Sequence, residues 1–190
     1  MIATQSDIRI AGIVGDSIVD GPGLRMAIFF QGCLRGCAGC HNPGSWALTG
    51  GRGIEAGALL AEIDKNPLLT GVTFTGGEPL LRAGALIPLA EGIGERGLDL
   101  AVYTGWVFED VLADGDPDVL RLLRLASVIV DGPFMIEQKS LLLPFRGSGN
   151  QRVLDAKKSL SESRAVPTGS PAWCKTPSTP SRRMKPHKAP

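Results

Sequence analysis

Three of the four cysteines fall in Gly32-Cys33-Leu34-Arg35-Gly36-Cys37-Ala38-Gly39-Cys40-His41-Asn42, at a C-x3-C-x2-C spacing. Thiolates this close can surround one centre, because the glycines between them let the backbone bend tightly. A cluster capped wholly by protein ordinarily takes four cysteines. Three therefore suit a 4Fe–4S cluster that keeps one iron open to an exogenous ligand. Zinc held by Cys33, Cys37, Cys40 and His41 is the competing chemistry. It would require adjacent Cys40 and His41 to reach two corners of one tetrahedron, whereas zinc ligands normally come from separated pairs. Plain buried thiols are the third alternative.

Gly76-Gly77-Glu78-Pro79 is a second candidate. Taken alone it is an ordinary strand-to-helix turn. Beside the cysteine loop it gains a chemical purpose, since two glycines expose backbone polar atoms to a ligand and Glu78 can accept from a protonated amine. An amino acid chelating an open iron needs such an acceptor. Other residues have blander readings. His41 is expected to matter through its backbone and His187 to be inert. Asp20 shapes a turn or faces a partner. Trp46 and Trp106 pack at loop bases as readily as they line a site. Arg146 and Asn150 either brace the last strand or touch a partner, and Cys174, isolated among Pro and Ser, is a free thiol.

These groups need a scaffold, and 190 residues with 43% hydrophobic content can build one globular domain. No uncharged apolar run approaches the roughly 18–20 residues of a membrane span. The start, Met1-Ile2-Ala3-Thr4-Gln5-Ser6-Asp7, predicts no secretory signal. Clustered cysteines argue for metal in a reducing cytoplasm rather than for disulfides. Apolar runs of strand length at 8–14, 24–31, 72–75, 98–103 and 128–130 alternate with helical stripes at 54–65, 85–96, 107–113 and 118–125. Alternation of this kind predicts β-α-β crossovers and an α/β fold. Each Gly-rich or polar motif follows the C-terminal end of a strand, where such folds gather their active sites. The strands are too few for a complete eight-fold barrel, so a partial (β/α) barrel or splayed parallel sheet over residues 1–155 is expected.

From Ala156 the composition changes. Residues 156–190 hold six prolines and carry five Lys and three Arg against one Glu, a net of +7, so the overall +1 conceals −6 in residues 1–155. A basic Pro/Ser-rich tail of this kind predicts disorder. With Trp173 its only aromatic, it is a solvated tail rather than a nucleic-acid arm.

The cysteine loop, preceded by Asp20-Gly21-Pro22-Gly23-Leu24-Arg25 and joined by the Gly-Gly-Glu-Pro turn, resembles the radical S-adenosylmethionine superfamily, more narrowly the activating enzymes of glycyl radical enzymes. Thr104-Gly105-Trp106, Asp131-Gly132-Pro133-Phe134 and Arg146-Gly147-Ser148-Gly149-Asn150-Gln151-Arg152 resemble the branch serving anaerobic (class III) ribonucleoside-triphosphate reductase. The resemblance covers about residues 10–155. It implies a splayed sheet of the radical S-adenosylmethionine type, with Cys33, Cys37 and Cys40 on the cluster. Gly39, Cys40 and His41 would then meet the nucleoside, and Gly77 and Glu78 the methionine amine, of S-adenosylmethionine. A flavodoxin-type donor would supply one electron, and the 5′-deoxyadenosyl radical would take hydrogen from a glycine of the reductase. Gly39 stands where many superfamily members have an aromatic residue, which accords with the narrower branch. An activase for another glycyl radical enzyme or a deazaguanine-forming synthase is the alternative within the superfamily. A non-catalytic zinc module is the alternative outside it.

Overall fold

The computed structural model describes residues 8–174. Its frame is a seven-stranded sheet of order β3-β1-β2-β4-β5-β6-β7. The central strands are β2 (Arg25–Phe30), β4 (Gly71–Gly76), β5 (Asp99–Tyr103) and β6 (Val128–Asp131), all parallel. Helix α1 (Ala56–Ile63) leads into β4, α2 (Ala83–Glu95) into β5, and α3 (Phe108–Asp114) and α4 (Pro117–Leu125) into β6. The expected strand and helix alternation thus forms the middle of the molecule.

The edges differ from the expected parallel sheet. β1 (Ile8–Ser17) and β3 (Arg52–Ile54) are antiparallel additions on one side, and β7 (Arg152–Asp155) on the other, so the sheet is mixed. Residues 18–24 are too few for a helical crossover, which needs about a dozen, and the chain must reverse between β1 and β2. β3 and β7 are too short for an apolar alternation to register. Helix α2 also begins earlier than the stripe at 85–96 implies and holds Pro88 in its interior.

Alternation along the strands divides the sheet into two faces. Met26, Ile28, Phe30, Val72, Phe74, Leu100, Val102 and Ile129 pack under the helices in one core with Leu59, Leu86, Leu89, Ile93 and Leu122. The opposite face carries Arg25, Ala27, Thr73, Ala101, Val128 and Val130, smaller or polar side chains that leave a concavity.

Order continues past the boundary expected at residue 156. Asp155 accepts from Lys158 N–H at 3.0 Å and caps α5 (Ala156–Glu162), whose Ala156 and Ser159 are buried. A backbone bridge joins Leu154 to Pro167, and Trp173 of the short α6 (Pro171–Cys174) is 4% exposed. Residues 156–174 are therefore built onto the domain. The remainder of the tail, with His187, lies outside the described residues.

Arg25 fixes the concave side. It is 1% exposed. Its Nε donates to Thr73 Oγ1, Nη1 to Asp99 Oδ2 and Nη2 to the Val72 carbonyl, each at 2.8 Å. A Cβ on Gly71 would come within 2.5 Å of Arg25 Nη1, and one on Gly21 within 2.7 Å of its Cδ. Removing one partner of a buried ion pair typically costs about 3–5 kcal/mol. Asp99 keeps 33% of its side chain exposed, which favours the lower end. Arg25→Ala should lower the urea-unfolding free energy by about 3 kcal/mol. A loss under about 1 kcal/mol would mean that the guanidinium is not what clamps β2, β4 and β5.

Candidate active site

The four strand-end segments are laced to one another by hydrogen bonds. Gly77 N–H donates to the Phe30 carbonyl and Glu78 N–H to that of Gly32, both at 2.8 Å, so the turn after β4 lies against the start of the cysteine loop. Nothing larger than glycine fits there, because a Cβ on Gly77 would stand 2.4 Å from the Gly32 oxygen. Glu78 then reaches the next loop, its Oε2 accepting from Gly105 N–H at 2.8 Å. Gly132 N–H donates to the Trp106 carbonyl at 2.9 Å, and Asp131 Oδ2 accepts from Phe108 N–H at 2.8 Å.

The last motif clasps the fourth loop. Asn150 Nδ2 donates to the Pro133 carbonyl at 2.7 Å and Gln151 Nε2 to that of Gly132 at 3.2 Å. Arg152 grips Asp131 through both carboxylate oxygens and pairs with Glu109 as well. Of the alternatives for Asn150, bracing is what these contacts describe. Arg146 is divided. Its Nη1 donates to the Gln151 carbonyl at 2.9 Å, while its buried Nε has no partner among the described residues.

Between these loops lies a cleft of about 650 Å³, lined by Cys33, Cys37, Cys40, Gly77, Glu78 and Arg146 among others. The cysteine loop is anchored at its start by Gly32 N–H to the Ser45 carbonyl at 2.8 Å and by Cys33 N–H to that of Trp46 at 3.1 Å. Gln31 Nε2 holds the far side through the Ala47 carbonyl at 2.7 Å. Gly36 and Gly39 bend the loop with φ of 58° and 71°. The three half-exposed cysteines form no disulfide. Cys33 Sγ faces Arg35 N–H at 3.5 Å and Cys40 Sγ faces Asn42 N–H at 3.3 Å. Burial raises the Cys33 thiol above its ordinary value. Among the described residues no three His, Cys, Asp or Glu side chains are drawn together at metal-holding separations. The donor set nevertheless fits a 4Fe–4S cluster: three soft sulfurs on one cleft wall, two with backbone N–H donors of the kind that tune such clusters.

The sequence-predicted residues meet here, though not all in the expected posture. Gly39 abuts Ile136, whose Cδ1 would lie 2.7 Å from an added Cβ. The His41 ring rests on Phe134, centroids 4.9 Å apart. Glu78 is 2% exposed, and its oxygens already serve Leu80 N–H, Gly105 N–H and the Thr104 hydroxyl. It is therefore a loop tie as well as a candidate amine acceptor. Arg35 was not singled out from the sequence. It reaches across the loops with its guanidinium 4.7 Å from the Trp106 ring centre, over a glycine at 105 that leaves space for its stem.

Burial pushes the Glu78 carboxyl up to about 7, against the lowering effect of its donors. Its folded pKa lies above the ordinary 4.5, so the folded chain keeps a proton that the unfolded chain releases as pH rises. Stability from this group is thus full below about pH 4.5 and declines to about pH 7, by about 3 kcal/mol at most. Urea melts of the metal-free protein should show that decline, and Glu78→Gln, which cannot ionise, should flatten it. An unchanged slope in the variant would assign the titration elsewhere.

Comparison with known proteins accords with this geometry. Residues 19–154 match the family described as the 4Fe-4S single cluster domain. The anaerobic ribonucleoside-triphosphate reductase-activating protein of Salmonella typhi is 31% identical over 72% of this chain and 91% of its own length. That of Vibrio cholerae is 32% identical over 70% of this chain and 89% of its own. The pyruvate formate-lyase-activating enzyme of Clostridium pasteurianum is 38% identical over 65% of this chain, which spans only 55% of that enzyme.

Proposed function

This chain belongs to the 4Fe–4S single cluster family and to the anaerobic ribonucleoside-triphosphate reductase-activating proteins, and we propose that it acts as they do, installing a glycyl radical on that reductase with S-adenosylmethionine. The supporting observation is one cleft walled by three uncrosslinked cysteines and the Gly77–Glu78 turn, in a chain spanning 91% of such a relative.

Cys33, Cys37 and Cys40 would hold the cluster, with S-adenosylmethionine over Gly39, Cys40, His41, Gly77 and Glu78. The bound cluster would supply one-electron reduction of S-adenosylmethionine, drawn from a flavodoxin-type donor, for hydrogen removal from the reductase glycine. The polypeptide's share is placement. Gly77 lets the ligand approach the backbone, and Glu78 offers its remaining acceptor capacity to an ammonium group. The laced loops keep the cysteine wall and the Glu78 turn in register. Three clustered thiols persist best in a reducing cytoplasm. Among the described residues no helix is long and apolar enough to cross a membrane.

The higher identity to the pyruvate formate-lyase-activating enzyme favours a second reading, an activase for another glycyl radical enzyme. Anaerobic reconstitution of the wild type with iron and sulfide should give the 4Fe–4S absorbance, and Cys37→Ala should abolish it. Incubation with S-adenosylmethionine, dithionite and the reductase should then produce a glycyl doublet by electron paramagnetic resonance. A doublet only with a different glycyl radical enzyme would transfer the assignment to the second reading. Stoichiometric zinc without iron after reconstitution would end both.

A further inference from the structure

Residues 155–174 lie beyond the stretch that matches the single cluster family, and they place one side chain beneath the mouth of the cleft. Trp173 covers the concave face of the sheet at Ala101, Val128 and Val130. Its ring meets Phe145 edge-on, with centroids 5.4 Å apart at 71°. The Arg25 guanidinium lies 5.5 Å from its centre. A Cβ at Gly21 would fall 2.9 Å from Trp173 Cη2, so the indole tip packs against the Asp20–Gly21 turn as well.

Gly21 and Phe145 are the roots of two exposed apolar lips. Ile18 and Val19 stand 72% and 73% exposed on one, Leu141 and Leu142 90% and 82% on the other. These are four of the five most exposed large apolar side chains among the described residues, and all four line the one cleft. Apolar surface concentrated at one mouth marks an interaction site rather than scattered surface residues. Phe145 is itself a fixed point: it holds φ at 55°, and its carbonyl accepts from the Tyr103 hydroxyl at 2.8 Å. The polar groups suited to a small charged ligand, Glu78 and Arg35, belong to the cysteine and Gly-Gly-Glu-Pro loops. The lips suit apolar side chains on an extended protein segment that must lay its backbone beside the cysteine wall.

We propose that Trp173 is a positioning residue for the protein substrate. By holding Gly21 and Phe145 at a set separation, it fixes the spacing of two apolar lips that grip the partner's chain on either side of its reacting glycine. The idea rests on the activase function proposed above. Burial of an indole is large enough to do this, since Trp covers on the order of 150–250 Å².

The test compares reconstituted full-length wild type, Trp173→Ala and Trp173→Phe. In the Ala variant the KM for the reductase should rise about tenfold with kcat held within about twofold, and the Phe variant should recover most of the loss. Partner-free cleavage of S-adenosylmethionine under dithionite should stay within about twofold of wild type. A second readout needs no cofactor: chymotrypsin should cut the metal-free Ala variant within 141–145 several-fold faster. An unchanged KM, or a partner-free rate that falls in step with it, overturns the proposal. Wild type that cleaves no S-adenosylmethionine overturns the activase function instead, and the protease arm then judges the Trp173 linkage alone. Should Trp173→Ala fail to fold, Trp173→Leu carries the same expectations, keeping apolar bulk while losing the ring edge.

Discussion

A fully buried guanidinium governs this fold. A charge removed from water is tolerable only when its donors are matched, and Arg25 matches its own with groups from β4 and β5: Thr73, the Val72 carbonyl, and the side chain and carbonyl of Asp99. Satisfying it therefore fixes where three neighbouring strands begin. It also explains the glycines around it, since Gly21 and Gly71 sit where any Cβ would strike the arginine. The Asp20 carbonyl joins through Thr73 Oγ1 at 2.7 Å, which ties the turn before β2 to the same point. The Asp-Gly-Pro-Gly-Leu-Arg stretch is in this sense a structural clamp whose product is the alignment of strand ends at the far side of the sheet.

At that far side buried carboxylates take over. Glu78 links the turn after β4 to the loop after β5, and Asp131 links the end of β6 to the start of α3 and, through Arg152, to β7. The two differ in their support. Asp131 has a guanidinium against both oxygens, whereas Glu78 relies on neutral donors with Arg35 at longer range, so burial dominates and raises it. A loop tie whose charge is expensive is also one that a cationic ligand would relieve, so the observed tie is compatible with the amine-binding role proposed for Glu78.

The central strands and helices were legible in the sequence because long apolar runs and 3.6-residue stripes report burial directly. Each motif's placement after a strand end followed from them. The mixed character of the sheet was legible only in part: the short link 18–24 demands a reversal between β1 and β2, but β3 and β7 are three and four residues long and gain their pairing from neighbours, not from their own pattern. The three cysteines, Gly77 and Glu78 could be singled out by residue type and spacing. Arg35 could not, because its importance lies in reaching Trp106 across two loops. Asn150 was ambiguous for the same reason, as a polar residue whose Pro133 partner is distant in sequence.

The tail is where composition misleads. Averaged over residues 156–190, it describes a segment unable to bury a core of its own, and that inference is sound for an isolated chain. It omits that the domain already supplies an unfinished surface. On its inner face Ala101, Val128 and Val130 are side chains of modest size that one large ring is enough to cover. Trp173 does so at 4% exposure while resting on Arg25 and Phe145. A single aromatic in a polar stretch carries no periodicity, so no pattern could have announced it. Its order comes from the partners it packs on, Ala101, Val128, Val130, Phe145 and the Arg25 guanidinium.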